Sequence, residues 1–235
     1  MPNPIDRPSL SRRAFCQHAA AVGAGALAAG ALGARAAYGD GATLPPAGTP
    51  AQALERLREG NARFIAGQPI APNRDLAQLR TLAPKQTPFA AVLACADSRV
   101  PVEVLYDQGF GDLFVVRVAG NVATAVEIAS LEYSAAVLDV EVIKVIGHTN
   151  CGAVKAALAG AKVPGQISTL FQHIVPALDR KTMDLDAAIA ANVRYQVRKL
   201  REVSPLLAHR IAAGQLVIEG GVLELDTGTV RPVES

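Results

Sequence analysis

Four short, mostly apolar runs punctuate the chain, at residues 89–94, 113–118, 140–146 and 216–220. Each is too short for a stable helix, and the last three are rich in Val and Ile, so each reads as a buried strand. Between them the apolar residues recur at helical spacing, over residues 122–138, 152–159, 167–178 and 185–203. An earlier helix opens at Thr49-Pro50, with Thr49 as N-cap and Pro50 in the first turn, and continues through Ala53, Leu54, Leu57 and Phe64. Residues 70–75 read as a loop. Strands alternating with helices predict a three-layer α/β fold with a mostly parallel central sheet of about four strands and helices on both faces. Residues 222–230, around Asp226-Thr227-Gly228, read as a hairpin or a C-terminal edge strand.

Composition narrows this picture. Half of the 235 residues are hydrophobic, only 4% are aromatic and none is Trp, so the core must be aliphatic. This suits a parallel sheet buried on both faces. The net charge of +2 misleads, because residues 1–36 hold Arg7, Arg12, Arg13 and Arg35 against Asp6 alone. Without them 19 basic residues face 20 acidic ones, with no basic stripe to engage nucleic acid. A small-molecule partner fits better.

The first residues have an address-like pattern. Ser11-Arg12-Arg13-Ala14-Phe15 resembles a twin-arginine export signal, an Ala/Gly-rich apolar run follows, and Ala34-Arg35-Ala36 reads as a cleavage site. The expected organisation is a signal peptide at 1–36, a Gly/Ala/Pro-rich linker at 37–49 and one domain at 50–235. The mature chain would be periplasmic or secreted, exported already folded and free of the membrane. An uncleaved membrane anchor is the alternative. Cys16 falls in the removable segment, which leaves Cys95 and Cys151.

Those two cysteines carry the chemistry. Cys95 follows the first predicted strand, and His148 and Cys151 follow the third, in Gly147-His148-Thr149-Asn150-Cys151-Gly152. Open α/β sheets bind ligands at the carboxyl ends of their strands. Two thiols and an imidazole there are the donors of a zinc site whose fourth position stays open. In Cys95-Ala96-Asp97-Ser98-Arg99 the Asp and Arg can pair across a tight turn, fixing an acceptor beside that position. Each residue alone has a plainer reading: a satisfied loop histidine, an inert thiol, a surface ion pair, or a Cys95–Cys151 disulfide.

C-x-D-x-R followed by H-x-x-C, each at a strand end, resembles the signature of beta-class carbonic anhydrases. The resemblance covers the helix near Leu54, residues 95–121 and 132–152, and the closing Gly-Gly-Val-Leu-Glu-Leu-Asp-Thr-Gly segment. It implies one Zn2+ per subunit on Cys95, His148 and Cys151. It implies that Asp97 accepts a hydrogen bond from the water on the metal, with Arg99 as its partner. Gln86, Phe114 and Tyr133 match pocket positions of the plant-like branch, and Gly152 matches a small residue that leaves room for carbon dioxide. Part of the pocket would come from a neighbouring subunit, so a homodimer or higher even oligomer is implied. The expected reaction is reversible hydration of carbon dioxide to bicarbonate. Hydrolysis of carbonyl sulfide or carbon disulfide on the same centre is the alternative, and a non-catalytic zinc protein is a third. Some members close the site by moving the Asp onto zinc, aided by bicarbonate in a side pocket built partly from a Trp. Here that position is Val92, so the site is expected to stay open, held by the burial of the Asp97–Arg99 pair.

Overall fold

The computed structural model describes residues 47–234. The twin-arginine segment, its cleavage site, Cys16 and nearly all of the linker lie outside the described residues. The first helix, α1 (Pro50–Ile65), starts where Thr49 accepts a hydrogen bond from the Gln52 amide and Pro50 fills the first turn. A second helix, α2 (Leu76–Leu82), is capped by Asp75 and buries no side chain. Leu76, Leu79 and Leu82 have helical spacing, but the segment is only seven residues long and Leu76 and Leu79 stay exposed.

The central element is β1 (Ala90–Ala94), followed by the one-turn helix α3 (Val102–Leu105), β2 (Leu113–Arg117), α4 (Ala125–Ala136) and β3 (Val142–His148). Then come α5 (Gly152–Ala159), α6 (Ser168–Ile174), α7 (Leu185–Val203), α8 (Pro205–Ala212), β4 (Val217–Leu223) and β5 (Val230–Val233). The sheet order is β2-β1-β3-β4-β5. The first four strands are parallel and β5 closes the edge antiparallel to β4. The expected sheet and its edge strand are both present.

Some boundaries differ from expectation. The third strand starts at Val142 and runs through His148, because Gly147 and His148 extend the ladder opposite Val222 and Leu223. His148 is therefore the last residue of a strand, and does not follow it. The helix expected over 167–178 ends at Ile174 and passes into a 3-10 turn, Val175–Ala177, with Pro176 inside it. Helix α8 was not expected; Ser204 caps it and Pro205 occupies its first position.

Side chains alternate across the sheet and build two cores. Ala91, Leu93, Ile143 and Val145 face one core, shared with α4, α5, α6, α7 and α8. Ala90, Val92, Ala94, Val142 and Ile146 face the other, shared with α1 and α3. This makes three layers. The chain moves outward from β1 to β2 on one side and from β3 to β4 on the other, so the topology reverses between β1 and β3. Such a reversal opens a crevice beyond the carboxyl ends of the two strands.

Close packing fixes the end of β3. A Cβ on Gly147 would lie 2.7 Å from Val193 Cγ2, and one on Gly220 would lie 2.6 Å from Val193 Cγ1. Both glycines thus make room for Val193 of α7, directly behind His148. Gly147→Ala should lower the unfolding free energy by about 1–3 kcal/mol through overpacking. Adding Val193→Ala vacates the contested space, so the double variant should be more stable than the two single losses summed. Denaturant unfolding of the four proteins checks this, and strict additivity would show that the contact is relieved elsewhere.

Candidate metal centre

Cys95 stands directly after β1, His148 ends β3, and Cys151 caps α5 three residues later. The two strands are neighbours, so backbone pairing alone brings these residues to one edge. Their donor atoms lie within 4.8 Å of one another, and all three residues are buried. A tetrahedral zinc with its usual bond lengths would hold two thiolate sulfurs about 3.8 Å apart. Binding therefore needs at most a small inward movement. Both cysteines are free, which sets the disulfide reading aside.

The donors fit a metal in two further respects. His148 Nδ1 lies 2.9 Å from the Thr149 carbonyl oxygen, so Nδ1 carries the proton and donates it. That tautomer leaves a lone pair on Nε2, which is buried and has no hydrogen-bond partner. An unsatisfied buried polar atom costs about 1–3 kcal/mol; a metal ion at Nε2 would remove that cost. The thiols tell a similar story. The neighbouring Cys151 thiol, working against burial and helped by the His148 ring and the Gly120 amide, pulls the Cys95 thiol well below the usual thiol range. The same interaction and burial push the Cys151 thiol up, although the Val154 and Ala153 amides at the start of α5 favour its thiolate. One negative charge forms readily in this pocket, and a second needs a cation.

Asp97 and Arg99 pair as the sequence suggests. Arg99 Nε donates to Asp97 Oδ1 at 2.9 Å and Nη2 to Oδ2 at 2.8 Å, while the Arg99 amide donates to Oδ1 at 3.0 Å. The guanidinium holds the carboxyl well below the usual carboxylate range. Asp97 Oδ2 lies 3.7 Å from His148 Nε2, at the open side of the donor cluster. The expected burial of this pair is not found in the single chain, where the Arg99 side chain is 55% exposed and that of Asp97 20%. Desolvation thus does not hold the pair; its two-pronged geometry does.

Other residues escaped the sequence reading. Arg117, the last residue of β2, donates to the Cys95 carbonyl from Nε and Nη2, at 3.2 and 3.1 Å, and from Nη2 to the Asp97 carbonyl at 2.6 Å. It pins the loop that presents the first ligand and the acceptor. The Gly120 amide donates to Cys95 Sγ at 3.3 Å. Neither belongs to a local motif; both are placed by strand order.

Gly152 stands at the mouth of the site, where an added Cβ would meet nothing within 4 Å. The remaining expected pocket residues do not join the cluster within one chain. Gln86 is exposed and precedes β1, at the far end of the sheet. Phe114 pairs with Ala91, toward the same far end. Tyr133 lies on α4, 47% exposed, with its ring centroid 6.2 Å from that of Phe114.

Comparison with known proteins agrees with this centre. The family model described as carbonic anhydrase matches residues 90–230. A carbonic anhydrase of Mycolicibacterium smegmatis is 40% identical over 194 residues, covering 79% of this chain and 94% of that protein. The Coccomyxa beta-carbonic anhydrase, solved in complex with acetazolamide, superposes with a TM-score of 0.61 at 28% identity, over 77% of this chain and 84% of that one. A tetrameric beta-carbonic anhydrase of Sordaria macrospora superposes with a TM-score of 0.60 at 25% identity, over 67% and 86%. These names do not favour the carbonyl sulfide or carbon disulfide alternative. From the ligand cluster, the sheet order and these likenesses together, the chain belongs to the carbonic anhydrase family, in its beta class.

Proposed function

We propose that this chain interconverts carbon dioxide and bicarbonate at a zinc held by Cys95, His148 and Cys151, with Asp97, kept on Arg99, as the hydrogen-bond acceptor of an open site. The observation that carries this reading is the convergence of three buried soft donors on a space flanked by a fixed carboxylate. When bound, zinc supplies Lewis-acid activation of water, bringing its proton loss toward neutral pH.

The chain's own residues do the rest. Arg99 donates twice to Asp97 Oδ1 and once to Oδ2, which leaves a lone pair free on Oδ2, because a carboxylate accepts about four hydrogen bonds. A water entering the pocket donates a hydrogen bond to Asp97 Oδ2, which turns the water's oxygen lone pair toward the carbon of carbon dioxide. Arg117 keeps the Asp97 backbone from drifting while this happens. The missing side chain at Gly152 leaves space for a linear gas molecule.

Gln86, Phe114 and Tyr133 serve the site of a second copy. Their clustering away from their own chain's ligands supports a homodimer or higher even oligomer, as does the tetrameric Sordaria enzyme. There the Gln86 amide would donate to a bicarbonate oxygen, and the two rings would keep the approach dry. The plant-like, open form is favoured by the two-pronged Asp97–Arg99 pair and by Val92 at the Trp position. Residues 1–36 serve as a twin-arginine signal, and zinc enters before export, which protects both thiolates from oxidation outside the cytoplasm.

Stopped-flow hydration assays test the open site. Activity should fall gradually with pH, without a steep cooperative loss below about pH 8, above the near-neutral proton loss of zinc-bound water, and bicarbonate should not deepen the loss. Arg99→Ala should lower turnover at least 10–100-fold, on the order seen for lost metal-site partners, while zinc content is retained. A sharp, bicarbonate-deepened shut-off in the unaltered protein would show a closing switch. Subunit mixing tests the composite pocket. Co-expressed Cys95→Ser and Tyr133→Ala chains should regain activity that neither shows alone, since one of the two sites is whole; no recovery would confine the pocket to one chain. Arg12→Lys with Arg13→Lys should leave active enzyme inside the cell. Equal zinc-loaded export behind a Sec-type signal would overturn the folding-first argument.

A further inference from the structure

Two side chains on α7 stand out from their surroundings. Asn192 and Gln196 lie one helical turn apart and are wholly buried, among Ile189, Val193, Val197 and Leu200. Apolar residues would fill this face at lower risk, because each buried amide must find partners for several donors and acceptors. Both find them in one place. Asn192 Nδ2 donates to the Gly120 carbonyl at 2.9 Å. Gln196 Oε1 accepts from the Ala123 amide at 3.0 Å, and its Nε2 donates to Asn192 Oδ1 at 2.9 Å and to the His173 carbonyl at 2.8 Å.

The turn so held contains the amide that touches the metal centre. Gly120 has φ 74°, and a Cβ there would lie 2.9 Å from Ile174 Cδ1, so the position needs glycine. Its N–H points at Cys95 Sγ, 3.3 Å away. Gly120 is thus gripped at its carbonyl by Asn192, while its N–H, on the preceding peptide, is spent on a ligand sulfur.

We infer that Asn192 and Gln196 are positioning residues of the metal centre, aiming the Gly120 amide at Cys95 and so tempering the charge that this thiolate gives to the metal. This inference rests on the zinc reading proposed above. Two thiolates place more negative charge on a metal than neutral ligands do, which opposes its Lewis acidity. A fixed N–H donor on one sulfur draws part of that charge back. Loosening the turn returns it.

The test uses cobalt-substituted and zinc-loaded full-length protein. Asn192→Leu keeps the branched heavy-atom outline and removes both the donor to Gly120 and the acceptor for Gln196. It should move the thiolate-to-cobalt charge-transfer band to longer wavelength, as a more electron-rich sulfur requires, and lower kcat/KM about tenfold, the scale of lost second-layer contacts. Ile189→Val, on the same helix face, should cost stability and leave the band in place. Should Asn192→Leu fail to fold, the unaltered protein loaded with cadmium-113 decides: scalar coupling between the metal and the Gly120 amide proton reports the N–H···S bond directly. An unmoved band in Asn192→Leu, or no such coupling, overturns the positioning role. Absence of any thiolate-to-cobalt band in the unaltered protein would instead refute the metal assignment itself.

Discussion

The centre depends on one buried imidazole nitrogen that has nothing to bond. His148 is committed by its tautomer, since Nδ1 spends its proton on the Thr149 carbonyl and Nε2 is left facing two thiols. The ring is wholly buried and anchored through Nδ1, which keeps Nε2 pointed at the thiols. The surrounding fold serves that commitment. Gly147 lets α7 close against the strand end, the reversal between β1 and β3 opens the crevice, and Cys95 and Cys151 reach it from either side. Without a cation the pocket holds an orphaned lone pair and more thiol than it can ionise. With one, both needs are met by the same bond set.

Around that core the chain grades its interactions by how freely each group must act. Cys95 is held from several directions: Arg117 on its carbonyl, Gly120 on its sulfur, and the sheet behind it. Asp97 is held by its side chain and by its backbone, yet its Oδ2 accepts only one hydrogen bond from Arg99. An exposed ion pair of this sort contributes little to stability, so the Asp97–Arg99 pair is better understood as an aiming device. Gln86, Phe114 and Tyr133 lie away from the donor cluster of their own chain, which is why the proposed pocket draws on a second copy.

Much of this was legible in the sequence, for a definite reason. The ligands lie at strand ends, and short apolar runs such as residues 89–94 announce their strands by their length and continuity. Cys95 with Asp97 and Arg99, and His148 with Cys151, are local groups whose spacing survives folding. Arg117, Gly120, Asn192 and Gln196 were not legible, because each acts on a partner at least 22 residues away. Only the strand order and the docking of α7 bring them together. Helix α2 is too short for the spacing of Leu76, Leu79 and Leu82 to stand out, and the end of the third strand was misplaced because Gly147 breaks the apolar run while the ladder continues. The one physical argument that failed was desolvation of the Asp97–Arg99 pair. A sequence does not say which face of a loop meets water, and in a single chain this one does.

The central claim is an open, three-ligand zinc site with Asp97 kept off the metal. Zinc-edge anomalous diffraction from crystals of the unaltered protein grown near pH 7 tests it most directly. The account predicts one anomalous peak bonded to Cys95 Sγ, His148 Nε2 and Cys151 Sγ, with the Asp97 carboxylate still on Arg99. A peak whose fourth ligand is an Asp97 oxygen, or no peak and a Cys95–Cys151 bond in its place, would contradict it.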